Sequence, residues 1–247
     1  MVSRARWLAA QVYEREYWRK QADEIASGAM PQYDWYQWRA DQLVGRLNRL
    51  QLSDATSGRA RVIEVGCGPV GLAGFFPASE RLLIDPLEDY YRHNEVLSKL
   101  RNPEAVYRAG GGEALPAEAG QYDLAVIENC IDHVRDADAV MRELVRVLRV
   151  GGLLYLTVNC RTPTGYWVHR ALSRLRLDPG HPHTFTPPKL RRMLERFGFD
   201  VLDLEVGSYV EALKEDQNSP SRKARLKARL GISEFLASAL ARKRATV

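Results

Sequence analysis

The chain has 247 residues, 45% of them apolar, with a net charge of +5, long enough to bury one substantial core with additions at its ends. No apolar run approaches the ~18 residues a membrane span needs, and the apolar stretch after Arg4 and Arg6 covers only Trp7 to Ala10, short of a ~7–15-residue secretory core. The three cysteines, Cys67, Cys130 and Cys160, form no C-x-x-C pair, so buried reduced thiols in a cytoplasmic protein are expected and a metal centre is not.

Residues 1–57 read as helices. Gln11 to Ile25 carries Tyr13, Tyr17 and Trp18, and 36–52 has Trp38, Leu43, Leu47 and Leu50 at helical spacing, with a break at Gly28-Ala29-Met30-Pro31. Four of the five tryptophans precede residue 39, and Tyr13, Tyr17, Tyr33 and Tyr36 join them. After Thr56-Ser57-Gly58, strand and helix alternate, which implies a parallel sheet with helices on both faces. Strands are read at 61–65, 81–85, 104–108, 122–127, 152–158, 199–206 and 209–213. Asp136 is the expected N-cap of a helix with Val140, Met141, Leu144, Val145 and Leu148 on its inner face. A second helix starts near Thr186-Pro187-Pro188 and stops at Gly198. A long loop is expected over 161–185. Gly207-Ser208 reads as a tight link between the last two strands, making the final one antiparallel. The expected fold is therefore α/β, a Rossmann-like, doubly wound, mostly parallel seven-stranded sheet with an antiparallel last strand. Residues 1–57 form a helical extension, 58–213 the main domain, and 214–247 a basic helical tail with nine Lys/Arg against three Asp/Glu.

The densest signal lies between Val62 and Gly71. Val-Ile-Glu-Val-Gly-Cys-Gly-Pro-Val-Gly is a buried strand running into a glycine turn, and Gly66, Gly68 and Gly71 satisfy G-x-G-x-x-G. Such a turn lets a polar nucleotide approach bare backbone. Glu64, two residues before the first glycine, suits a cationic ligand rather than a pyrophosphate. Arg81-Leu82-Leu83-Ile84-Asp85 follows as an apolar strand ending in an acid, about 20 residues on, where both hydroxyls of a ribose are gripped. Capping of the next helix is the plainer reading of Asp85.

On these residues the run from Arg61 to about Asn159 resembles a class I S-adenosylmethionine-dependent methyltransferase of the small-molecule, type 11-like branch. Val-Ile-Glu-Val-Gly-Cys-Gly-Pro is similar to the first motif of that family and Leu-Ile-Asp-Pro-Leu to the second. Glu113-Ala114-Leu115-Pro116, Tyr122-Asp123-Leu124-Ala125-Val126 and Arg146 to Leu154 follow in family order. The resemblance implies S-adenosyl-L-methionine as cofactor. It implies that Gly66, Cys67 and Gly68 pass its methionine and ribose parts, that Glu64 lies near the amino-acid end, and that Asp85 takes the ribose hydroxyls. Pro86 and Leu87 would pack on adenine, Glu113, Ala114 and Leu115 would flank it, and Asn129 and Cys130 would lie beside the sulfonium. Relatives carry an Asp before Glu-Ala-Leu-Pro; here Gly110-Gly111-Gly112 occupies that stretch. Helices preceding such a domain often lid its pocket, which gives the N-terminal aromatic residues a second reading beside plain packing.

Methyl transfer to a hydroxyl requires loss of a proton, and histidine is the natural base. His133 follows the fourth strand, where it reads either as catalytic or as a loop-bonding residue. His181 and His183 precede the Thr186 helix and are candidates to line the acceptor pocket, with His169 a weaker one. A metal on His-x-His lacks an adjacent carboxylate in sequence and is set aside. Asn129-Cys130-Ile131-Asp132 differs from the loops of enzymes that methylate nucleic-acid bases, so nucleic acid is disfavoured. The expected partner is a small-molecule acceptor methylated at oxygen, a sugar or lipid-linked glycan being the leading candidate. Peripheral contact with a membrane or protein is assigned to the basic tail. Two rivals stay open: an NAD-dependent oxidoreductase, which the glycine motif and acid also fit, and a catalytically silent methyltransferase-like scaffold.

Overall fold

The computed structural model describes residues 2–29, 34–174 and 180–245; Met30 and Pro31 of the predicted interhelical break, and Tyr33 of the aromatic cluster, lie outside that set. Seven strands form one sheet: β1 (Arg61–Val65), β2 (Glu80–Asp85), β3 (Val106–Ala109), β4 (Tyr122–Glu128), β5 (Leu148–Cys160), β6 (Phe199–Val206) and β7 (Phe235–Lys243). Their order is β3-β2-β1-β4-β5-β7-β6. The pairs β3/β2, β2/β1, β1/β4 and β4/β5 are parallel, and β7 runs antiparallel to both β5 and β6. The eight helices among the described residues are α1 (Arg4–Ala26), α2 (Asp34–Arg49), α3 (Glu88–His93), α4 (Ala137–Val147), α5 (Pro163–Arg174), α6 (Pro187–Arg196), α7 (Tyr209–Asn218) and α8 (Arg222–Arg229). No described helix is long and apolar enough to cross a membrane.

Both faces of the sheet are covered, which is why its central strands are apolar runs rather than alternations. On one face Ile63, Ile84, Ala125 and Ile127 pack with Val140, Met141 and Leu144 of α4 and Leu190 and Leu194 of α6. On the other, Val62, Leu83, Leu124 and Val126 meet Leu43 and Leu47 of α2, Tyr91 and Leu72. The predicted Asp136 cap forms, its carboxylate accepting from the N–H groups of Asp138 and Ala139, and the helix expected near Thr186 is capped by the Thr186 hydroxyl, which accepts from the Lys189 N–H.

The antiparallel strand comes from a different segment than expected. Residues 209–213 are not a strand but the start of α7, whose Ser208 cap accepts from the Glu211 N–H. The closing strand is β7, in the segment read as a helical tail. Only 209–218 and 222–229 are helical there. Phe235-Leu236-Ala237-Ser238-Ala239-Leu240-Ala241 reads as helix because alanine is depleted in strands and the leucines are four apart. Its place in the sheet overrides that preference. Ala237, Ala239 and Ala241 face the α4/α6 core, and Leu240 faces the α2 core. Small side chains fit between crowded layers. Arg46 of α2 seals the assembly, donating to the Ser238 hydroxyl at 2.6 Å, the Ser238 carbonyl at 3.0 Å and Asp203 at 2.6 Å. A boundary at residue 213 therefore cuts through the sheet. The expected long loop also contains helix α5, because Pro163 sits in its first turn, where proline is tolerated, and the Thr162 hydroxyl accepts from the Gly165 N–H.

Candidate active site

A cavity of about 390 Å³ opens at the carboxyl ends of β1, β2 and β4, where ligands bind in open α/β sheets. Its floor is the glycine turn. Gly66 and Gly68 hold φ of +70° and +59°, a region that favours glycine. A Cβ on Gly66 would sit 2.5 Å from the Cβ of Cys130, and one on Gly68 would meet the Tyr36 hydroxyl at 2.9 Å. The turn is pinned to β2 by the N–H groups of Gly66 and Cys67, which donate to the Ile84 carbonyl at 2.8 and 3.3 Å.

Asp85 ends β2 and lines the cavity. Its carboxylate accepts from the Gly68 N–H at 3.0 Å and the Leu87 N–H at 2.8 Å. Burial pushes its pKa up to about 7, against the pull of those two donors. Glu64 also lines the cavity, but its carboxylate is occupied by the N–H groups of Leu72 and Ala73 at 2.9 and 2.8 Å. Its direct work is to hold the loop after the glycine turn, and burial raises its pKa to about 8. Asn129 adopts φ of +47° and accepts from the Asn159 N–H through its side chain at 3.2 Å. Cys130 presses its side chain against Gly66, and burial holds its thiol well above the ordinary range, so it is a neutral wall. Cys67 behaves alike, its thiol donating to the Gly68 carbonyl at 3.2 Å.

Gly66, Cys67, Gly68, Asp85, Pro86, Asn129, Cys130, His133 and His181 all line this cavity with Glu64. Six other sequence-derived candidates do not. Leu87 packs into the α2-side core. Glu113 accepts from the N–H groups of Arg135 and Asp136 at 2.9 and 3.1 Å, tying its loop to the start of α4. Ala114 lies outside the lining, and Leu115 is buried in the α4-side core with its N–H on Glu143 at 2.7 Å. His183 turns to the Val134 carbonyl at 2.9 Å, and burial lowers its pKa. His169 is likewise buried, bonded to the Thr184 hydroxyl at 2.8 Å.

The roof comes from α1 and α2: the aromatics given a lid reading from the sequence supply most of it, whereas Glu14 and Arg39 were not among the candidates. Tyr13, Glu14, Tyr17 and Trp18 reach in from α1, and Trp35, Tyr36 and Arg39 from α2. Trp18 donates to Glu14 at 3.0 Å and meets Tyr91 edge-on, and Trp35 stacks on Tyr36 with centroids 3.9 Å apart. Glu128, the last residue of β4, also lines the cavity; it is buried, pairs with Arg39 at 3.1 Å, and has its pKa raised by burial. The aromatic clustering before residue 39 was the available signal for the roof. For Glu128 there was none beyond its place at a strand end.

A sheet of this order with an antiparallel seventh strand, and a glycine turn facing an acid at the end of β2, define the class I methyltransferase fold. The sequence profile of a methyltransferase domain matches residues 37–204, and the chain belongs to that family, whose cofactor is S-adenosylmethionine. It is 32% identical over 111 residues to a ubiquinone biosynthesis O-methyltransferase of Xanthomonas axonopodis pv. citri, covering 43% of this chain and 46% of that one. To human thiol S-methyltransferase TMT1A it is 28% identical over 170 residues, 64% and 67% of the two chains. The matches span 37% and 46% of the length of the first two curated relatives. Among solved structures, geranyl diphosphate C-methyltransferase from Streptomyces coelicolor, in complex with Mg²⁺, geranyl diphosphate and S-adenosyl-L-homocysteine, superposes with a TM-score of 0.57 at 15% identity, over 87% and 86% of the chains. That likeness is one of fold.

Proposed function

We propose that this protein moves a methyl group from S-adenosylmethionine to a hydroxyl or thiol of a small, flat, largely apolar acceptor. The observation that carries this reading is the carboxyl-rich wall of the cavity. Glu14, Glu64, Asp85 and Glu128 line it against one arginine, Arg39. A ligand bearing a sulfonium and an ammonium would draw these buried carboxyls into their ionised form, whereas the pyrophosphate of NAD would oppose their ionisation. When bound, the cofactor supplies a methyl carbon already activated by positive sulfur.

The chain positions the acceptor, excludes water and handles the proton. The aromatic roof favours a flat apolar body and cation–π contact. This moves the expectation away from a sugar or lipid-linked glycan and toward the kinds of acceptor named for the quinone and thiol relatives. Both His133 and His181 line the cavity, and this reading assigns the acceptor's proton to one of them. A cytoplasmic location belongs to the same reading and rests on three free thiols. Peripheral contact with an anionic surface is assigned to α8, whose basic residues include Arg222, Lys223, Arg225 and Arg229.

Calorimetric titration with S-adenosylhomocysteine and, separately, with NAD tests the cofactor. Micromolar binding of the sulfur ligand alone is expected, weakened by about 1–3 kcal/mol in Asp85→Ala, the usual cost of leaving buried polar groups unpaired. Binding of NAD alone would overturn the reading. Binding of the sulfur ligand without turnover on a panel of phenols and thiols would favour the silent scaffold.

A further inference from the structure

Beside the glycine turn, the same cavity carries a cluster that the sequence did not join. Asp132 and His133 lie in the turn after β4, closed by the His133 N–H on the Cys130 carbonyl at 2.9 Å. His181 arrives from the segment before α6. That segment is tied to the turn by the His183 N–H on the Asp132 carbonyl at 3.1 Å, and to α5 by the Ser173 hydroxyl on the His181 carbonyl at 3.4 Å. The rings of His133 and His181 lie 4.6 Å apart and inclined by 53°. One donor atom from each of Asp132, His133 and His181 falls within 4.8 Å of the others.

Asp132 makes the cluster unusual. It is 3% exposed, and its Oδ1 is buried with no hydrogen-bond partner. His133 Nε2 is 3.7 Å from that oxygen, too far for a hydrogen bond. A buried carboxylate oxygen without a donor is costly and rare, and a cation shared with the two imidazoles would satisfy it.

We propose that Asp132, His133 and His181 bind a divalent transition-metal ion of the zinc type. Two imidazoles with one carboxylate are a borderline donor set that suits Zn²⁺, Co²⁺ or Fe²⁺, whereas Mg²⁺ and Ca²⁺ favour oxygen-rich sites. Three protein ligands leave a position open, and both histidines line the cavity, so an acceptor bound in the cavity would be within reach of it. The function of the site rests on the methyl-transfer reading. The acceptor's oxygen or sulfur binds the metal and its proton leaves to solvent. The resulting anion forms a bond to the methyl carbon as the carbon–sulfur bond breaks, its electron pair passing to sulfur. The two imidazoles then act as ligands rather than as bases.

The test is titration of the full chain with Co²⁺, followed by absorption in the visible range, and with Zn²⁺ in competition. Wild type should give one saturable band that Zn²⁺ displaces. His181→Gln and Asp132→Asn should lose it, while His93→Gln, a substitution of an exposed histidine on α3, should keep it. His181→Gln is the more informative variant, because its partly exposed side chain can change without unfolding the chain. No band, or a band equal in wild type and His181→Gln, overturns the proposal. S-Adenosylhomocysteine titration of the same metal-free samples reads the methyl-transfer assignment separately: binding there with no cobalt band sinks the metal site alone.

Discussion

The floor and the roof of the cavity are built in opposite ways. The floor is backbone: Gly66 and Gly68 at positive φ, with Asp85 and Glu64 holding N–H groups within about twenty residues of chain. The roof is side chain: Trp18, Trp35, Tyr36 and Arg39, carried on helices that reach the sheet from outside the strand–turn–strand unit. A backbone floor suits one unvarying ligand, because its shape depends on the fold of the turn rather than on the identity of exposed side chains. A side-chain roof can be changed residue by residue and suits selection of the acceptor.

The largest expected effect erases the comparison altogether. Truncation after Pro220 removes α8 and β7, leaving β5 and β6 without the strand between them and Arg46 without Ser238. The loss should exceed the ~5–15 kcal/mol that holds a typical domain together. Far-UV circular dichroism and a thermal melt would show no cooperative unfolding; a native-like melt would show that β7 is dispensable.

Gly66→Ala strikes the floor alone. The strained φ costs about 1–3 kcal/mol, and the clash with Cys130 adds to it. Cofactor-analogue binding should be lost in a protein that still folds, and retained affinity would contradict the backbone account of the floor.

Acidity provides a gentler probe. Glu64 and Asp85 have pKa values of about 8 and 7 in the folded chain, against 4.5 and 3.8 for the free side chains. Between those limits the native state holds protons that the unfolded state releases. This contribution is therefore fully present below about pH 4 and is lost as pH rises through 7 to 8. Melting of the ligand-free protein should fall across that window, with a shallower slope in Asp85→Ala. Binding of a cationic ligand should release protons near pH 7, detectable as a buffer-dependent heat. A melting temperature that rises across the window would show that neither group is buried as described.

The smallest effect belongs to the roof. Trp35→Ala removes a partly exposed ring stacked on Tyr36, worth about 0.5–1.5 kcal/mol. It should raise KM for whichever acceptor is turned over and leave S-adenosylhomocysteine affinity unchanged; the reverse pattern would move the aromatic roof onto the cofactor.

Legibility followed the same divide. The strand–turn–acid unit from Val62 to Asp85 was readable because its chemistry depends on neighbours in the chain: glycine for φ, a carboxylate at a strand end. The cap at Asp136 and the helix start near Thr186 were readable for the same reason. Glu113 was misplaced because its partners, the N–H groups of Arg135 and Asp136, lie 22 and 23 residues away. His183 was placed with His181 by adjacency, yet it faces Val134 on the other side of its loop.

By itself, then, the sequence determined the family, the parallel core and the glycine floor, all products of local backbone preference and short-range pattern. Tertiary structure decided that an alanine-rich tail becomes β7, that the N-terminal aromatics roof the cavity, and that Asp132, His133 and His181 meet. Each of these depends on which surfaces are left to be buried once the layers have packed, and that is settled only when segments distant in the chain come together.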